Sequence, residues 1–169
     1  MHIHKYEKWW LVFGTGSLVA FLIILGIGAF HNGTHPNDSK KTIDYERVEE
    51  YEPFSTLGTG VHKVEGKDWD YEVVLIASAF MYNPSEIEVP VNSKVKFIAT
   101  TKDVIHGFEV AGTNINMMLE PGYISEYVAE VNKVGEFLIV CNEYCGTGHA
   151  FMYSKLKVVD PNATADSSQ

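Results

Sequence analysis

The chain has 169 residues, with 22 Asp and Glu against 13 Lys and Arg, for a formal net charge of −9. So acidic a surface excludes nucleic acid as a natural partner, because phosphate binding needs cationic side chains. The length accommodates one modest domain and an anchor.

The first element is an apolar run. Residues 9–30 contain no charged side chain, and as a helix they would span about 33 Å, enough for a bilayer core. Lys5 and Lys8 precede the run, and Trp9 and Trp10 sit at its end, where interfacial indoles are favoured. A cleaved signal peptide would have a shorter apolar region followed by a small-residue cleavage site. We therefore expect residues 1–34 to form a retained, single-pass anchor. Gly16 and Ala20 make a small-xxx-small pair suited to close packing against another membrane helix.

Residues 35–70 are polar and read as a linker, with a short helix around Ile43–Tyr51. From residue 71 the pattern changes to strands. Tyr71–Phe80, Ile87–Pro90, Lys94–Thr100, Glu126–Val131, Glu136–Cys141 and Ser154–Val159 are β-rich or alternate apolar with polar, and turn signals such as Asn83-Pro84, Asn92-Ser93 and Pro121-Gly122 lie between them. Short strands at this spacing predict a sandwich or barrel over 71–160. The tail, 161–169, is expected to be disordered.

The chemistry is concentrated between the last two strands. Cys141-Asn-Glu-Tyr-Cys145-Gly-Thr-Gly-His149-Ala-Phe-Met152 places two thiols, an imidazole and a thioether on one loop, and Asp103-Val-Ile-His106-Gly-Phe adds a second imidazole. These are the soft and borderline donors that favour copper over magnesium or calcium. A mononuclear blue-copper site needs one Cys, two His and a weak axial Met. The second Cys is surplus to that design and suggests a second copper sharing both thiolates. Gly146 and Gly148 are expected to supply positive φ for the turn between Cys145 and His149. A Cys141–Cys145 disulfide is the competing reading, but it leaves His149 and Met152 without a role. Met117 and Met118 are expected to be packing residues.

The loop resembles the C-x-E-x-C-x-x-x-H-x-x-M motif of the binuclear copper A site in subunit II of heme-copper cytochrome c oxidases. Asp103–Phe108 resembles the strand end that supplies that family's first histidine. The resemblance implies a cupredoxin-like Greek-key β-barrel after one transmembrane helix. It implies two copper ions bridged by Cys141 and Cys145, with His106 and Met152 on one and His149 and the Glu143 carbonyl on the other. It also implies an electron relay from cytochrome c or a similar carrier to heme in subunit I, where oxygen is reduced to water. The implied setting is a bacterial or archaeal-type plasma membrane, with the N-terminus cytoplasmic, the anchor in lipid and the copper domain on the outer face.

Phe80 and Tyr82, in Ala79-Phe-Met-Tyr-Asn-Pro84, resemble the aromatic stretch near which electrons enter in this family. The single anchor is similar to B-type oxidases. Glu143 instead resembles the A-type pattern, whose carboxylate helps bind magnesium together with the partner chain. Asp103 is a candidate to orient a neighbouring group, as carboxylates behind metal ligands do. Other classes are a copper-delivering assembly factor, a mononuclear copper carrier, a quinol oxidase subunit and a nitrous oxide reductase. The first lacks a βαβ pattern here, quinol oxidase subunits lack the copper ligands, and nitrous oxide reductases need a large additional domain.

Overall fold

A computed structural model describes residues 3–31 and 41–161. The expected tail beyond residue 161 lies outside the described residues. The chain divides into two units, 1–36 and 37–169.

The first unit is a helix, α1 (Lys5–His31), with no buried residue. Its apolar side chains point in every direction, as in a helix solvated by lipid rather than by a protein core. It is long and apolar enough to cross a membrane.

The second unit consists of two sheets. In chain order its strands are β1 (Lys41–Thr42), β2 (Gly60–Lys63), β3 (Tyr71–Ser78), β4 (Met81–Asn83), β5 (Glu86–Pro90), β6 (Ser93–Thr101), β7 (His106–Val110), β8 (Asn116–Leu119), β9 (Tyr123–Val131), β10 (Gly135–Val140) and β11 (Tyr153–Val159). One sheet runs β1-β9-β6-β3-β2, with β4 also paired to β3, and the other runs β5-β11-β10-β7-β8. The pairs β3–β6 and β5–β11 are parallel and the remaining pairs antiparallel. Inward residues of both sheets form one core, including Val73, Leu75, Phe97, Tyr127, Phe108, Ile139 and Leu156. In β9, Tyr127, Ala129 and Val131 share the buried face, as their alternation predicts.

The polar segment expected as a linker belongs largely to this fold. β1 pairs with β9 and β2 with β3. Between them, a 3-10 helix (Tyr45–Glu50) carries Val48 into a second buried cluster with Phe54, Val74, Ile76, Ile98 and Ile124. That cluster covers the outward-facing residues of β3 and β6. It explains why Val73–Ala77 is an unbroken apolar run rather than an alternating one, since β3 is buried on both faces. Removing Val48 and Phe54 from water contributes about 1.5–3 kcal/mol each. Further along, Lys67 Nζ and Trp69 Nε1 both donate to Glu72 Oε1, at 2.6 and 3.0 Å. Burial pushes the Glu72 carboxyl up, but these two bonds outweigh it and hold it below its ordinary value. Segment polarity hid this role because only a few apolar residues in it carry the packing.

β8, which was not expected from sequence, puts Met117 in the core and turns Met118 outward. Only the first is therefore a packing residue.

Candidate metal centre

The twelve-residue loop is the turn of the β10–β11 hairpin. The strand register ends at Val140↔Tyr153, and the next rung is closed by the Cys141 amide donating to the Met152 carbonyl. Cys141 and Met152, far apart along the loop, are thus fixed side by side where the strands stop. β7 lies antiparallel to β10, with Val140 opposite Glu109. Continuing that register places Asn142 beside Gly107, so His106 at the start of β7 comes level with the loop.

Six donor atoms converge. Cys141 Sγ lies 3.7 Å from Cys145 Sγ and 3.9 Å from His106 Nδ1. Cys145 Sγ lies 3.6 Å from His149 Nδ1 and 3.7 Å from Met152 Sδ. The Glu143 carbonyl oxygen is 3.1 Å from Cys141 Sγ. His106 is fully buried, Met152 is 2 % exposed, and the cysteines are 6 % and 7 % exposed. Each sulfur therefore has an imidazole on its own side, and the ring nitrogens facing the sulfurs are both Nδ1. His106, Cys141 and Cys145 satisfy the geometry of a metal-holding group. Both cysteines are free thiols. With sulfur and imidazole donors and little water, the set fits copper.

Burial, the hydrogen bond with Cys141 and the nearby negative charge of that group push the Cys145 thiol up to about 11. At neutral pH the metal must displace this proton. Copper affinity is therefore expected to rise with pH across the range below about 11 and to weaken as pH falls, by about tenfold per unit for each proton displaced. Copper titrations of the reduced protein at pH 6, 7 and 8 check the slope.

Two glycines have reasons the sequence did not disclose. Gly146 has φ +128°, in keeping with expectation, but Gly148 has φ −93°, which any residue can adopt. Its constraint is steric. A Cβ at Gly148 would lie 2.3 Å from Phe80 Cδ2 and 2.5 Å from Cγ. Phe80 thus packs directly beneath the metal loop. Gly148→Ala is expected to displace Phe80 or the loop, costing about 1–3 kcal/mol as overpacking does. Thermal melts together with Phe80→Leu in the same chain check this, because the smaller side chain should recover part of the loss.

Tyr82, the other aromatic candidate, is buried. Its hydroxyl donates to the Gly107 carbonyl at 2.5 Å, and its ring meets Phe108 edge-on. It supports the strand that carries His106 from within the core. The Gly107 amide in turn donates to Cys141 Sγ at 3.4 Å. Gly107 is a site residue that sequence reasoning missed. Its position immediately after His106, in a strand otherwise built of larger residues, was the available signal.

Asp103 meets the expectation of an orienting carboxylate. Its Oδ1 lies 2.8 Å from His106 Nε2, and its Oδ2 accepts the Ala79 amide at 2.6 Å. Burial works against its ionisation, but bonds from His106, the Ala79 and Val104 amides and Thr101 together hold its carboxyl below the ordinary value. Large apolar side chains flank the ligands in sequence and face outward. Tyr144 is 78 % and Phe151 77 % exposed, with Val104, Ile105 and Tyr153 also exposed.

Comparison with known proteins decides the family. The model of the family described as cytochrome c oxidase subunit II, periplasmic domain, matches residues 67–159. Cytochrome c oxidase subunit 2 of Thermus thermophilus is 36% identical over 158 residues, covering 92% of this chain and 93% of that one. The chain belongs to the cytochrome c oxidase subunit II family. Among solved structures, a chain of a heme-copper terminal oxidase dimer aligns with TM-score 0.72 at 29% identity, covering 92% of this chain and all of that one. The periplasmic domain of subunit II from Bradyrhizobium japonicum aligns at 23% identity and TM-score 0.51, over 60% of this chain and 91% of that one. It shares the cupredoxin-like fold. Cytochrome c oxidase subunit II is a part of the heme-copper oxidase complex, and the cysteine-histidine cluster described above fits a copper centre.

Proposed function

We propose that this subunit II holds two copper ions and takes electrons from cytochrome c or a similar carrier, delivering them to heme in subunit I. The observation that carries this reading is the pair of buried thiols 3.7 Å apart, with one imidazole beside each. Cys141 and Cys145 would hold both ions. His106 and Met152 would complete one coordination shell, and His149 with the Glu143 carbonyl the other. When bound, the copper pair supplies one-electron redox chemistry.

The chain's own residues do the rest. β7, β10 and β11 fix three ligands, His106, Cys141 and Met152, on or beside hydrogen-bonded strands, so these donors have little freedom to move between redox states. The Gly107 amide donates to Cys141 Sγ and helps fix its position. Burial of the sulfurs excludes water and competing thiols. Phe80, packed against Gly146 and Gly148 of the loop, and Tyr82, whose hydroxyl donates to the Gly107 carbonyl, are our candidates for the electron's route in.

The negative charge of the chain, −9 overall, would steer a basic carrier, with an on-rate that falls as salt rises. The exposed apolar side chains of Tyr144, Phe151 and Ile105 would make the close contact. α1 would cross the plasma membrane of a bacterium or archaeon with its N-terminus cytoplasmic, which leaves the copper domain on the outer face. Glu143 carries a carboxylate suited to magnesium, and we propose that such an ion would be shared with the partner chain.

Full-length chain in detergent, reduced and loaded with copper, tests the reading by metal count and electron paramagnetic resonance. Two coppers with one unpaired electron spread over both nuclei are expected. One copper with a mononuclear spectrum would overturn the relay in favour of a single-copper carrier, and so would a metal-free Cys141–Cys145 disulfide in favour of a structural domain.

A further inference from the structure

The buried imidazole of His106 has two nitrogens and two different neighbours. Nδ1 faces Cys141 Sγ, and Nε2 faces Asp103 Oδ1 at 2.8 Å. An ionised carboxylate can only accept a hydrogen bond. The Nε2 atom must therefore carry the proton, which leaves the Nδ1 lone pair free and aimed at the sulfurs. His106 is fully buried, so water does not compete for this choice.

The carboxylate is itself held. Oδ1 also accepts the Val104 amide at 2.7 Å and the Thr101 hydroxyl at 3.1 Å, while Oδ2 takes the Ala79 amide at 2.6 Å. Ala79 precedes Phe80, whose ring supports Gly146 and Gly148 of the metal loop. One side chain therefore ties the His106 ring to the corner beneath the loop that bears Cys145 and His149.

We propose that Asp103 is the positioning residue of the copper centre, fixing His106 in the metal-binding tautomer and orientation and lowering the centre's midpoint potential through its negative charge. The proposal rests on copper being bound at this site. Negative charge hydrogen-bonded to a ligand favours the more positive, oxidised metal state. Removing it makes reduction easier and raises the potential. Asparagine at 103 keeps an oxygen for His106 but turns its amide group toward the Ala79 N–H, two donors face to face. Alanine removes the bond altogether.

The test uses full-length chain with Asp103→Asn, Asp103→Ala and the control Asp70→Asn. Asp70 braces the Lys94 amide at 2.8 Å in the same manner, at the other end of β6. Midpoint potential, copper retention against a chelator and the copper spectrum are recorded for each. Asp103→Asn is expected to raise the potential, and Asp103→Ala to weaken copper retention by about 10–100-fold, as loss of a ligand's outer partner does. Asp70→Asn should change neither. Native potential and native retention in both Asp103 variants overturn the proposal, while the copper content of the unaltered chain judges the underlying reading separately.

Should the Asp103 variants fail to fold, nuclear magnetic resonance of the unaltered, metal-free chain decides. A slowly exchanging Nε2 proton on His106 is expected. A ring protonated on Nδ1 alone overturns the assignment.

Discussion

Cys145→Ser is expected to abolish the shared two-nucleus copper signal and to leave at most one copper per chain. Cys145 Sγ is the donor closest to both His149 Nδ1 and Met152 Sδ, at 3.6 and 3.7 Å. A serine hydroxyl is a harder donor that does not ionise near neutral pH, so it cannot bridge two copper ions. His106 and Cys141 would remain, a pair that can hold one ion. Cys141→Ser should be as severe, because it also discards the sulfur that accepts the Gly107 amide. Oxidation of a reduced carrier by the assembled oxidase should fall by at least about a hundredfold, since loss of a ligand's outer partner alone costs about 10–100-fold. Copper count and paramagnetic resonance read the centre, and carrier oxidation reads the consequence. Each hydroxyl would sit in a largely apolar site at a cost of about 1–3 kcal/mol, so melts should show a folded but weakened domain. Two coppers with an unchanged spectrum in either variant would falsify the thiolate-sharing arrangement.

Gly107→Ala should be the most damaging change that touches no metal ligand. A Cβ there would lie 1.8 Å from Asn142 Oδ1 and 2.7 Å from the Asn142 backbone nitrogen. The side-chain clash can be relieved by rotation, but the backbone clash cannot. β7 and the start of the metal loop would have to separate, which withdraws His106 from Cys141 and breaks the Gly107–Cys141 bond. The stability loss is expected to reach at least the 1–3 kcal/mol of ordinary overpacking, with copper affinity reduced as well. Adding Asn142→Gly should recover only part of the loss, because it removes the side-chain oxygen and leaves the backbone contact. Denaturant melts of the single and double variants measure that remainder. Full recovery in the double variant would mean that the side chain, not the backbone, sets the spacing.

The two glycines of the loop show how far residue types can be read without a structure. Gly146 has the positive φ that its turn position suggests. Gly148 does not, and its requirement comes from Phe80, a residue 68 positions earlier in the chain. No local rule connects the two. Asp103 is an intermediate case. Its proximity to His106 in sequence made an orienting role readable, but the bond to the Ala79 amide depends on β3 and β6 lying side by side. Tyr82 is a further case, since nothing in its local sequence shows that the fold buries it with its hydroxyl on the Gly107 carbonyl.

Read alone, the sequence specifies a long apolar helix, a strand-rich domain and a cluster of sulfur and imidazole groups. An uncharged run of sufficient length, period-two alternation and a cluster of sulfur and imidazole groups are local properties, independent of how the chain later packs. Only the tertiary structure decided that residues 41–63 complete the sandwich. Val48 and Phe54 gain their role from the outer face of β3 and β6, and that face exists only once strands distant in sequence have paired. The same holds at the metal centre. The loop carries two thiols, one imidazole and a thioether, while the β7–β10 register brings the His106 imidazole to them and the contact between Phe80 and Gly148 sets the loop's position. Donor chemistry belongs to single residues, whereas position is set by long-range backbone pairing that no segment encodes alone.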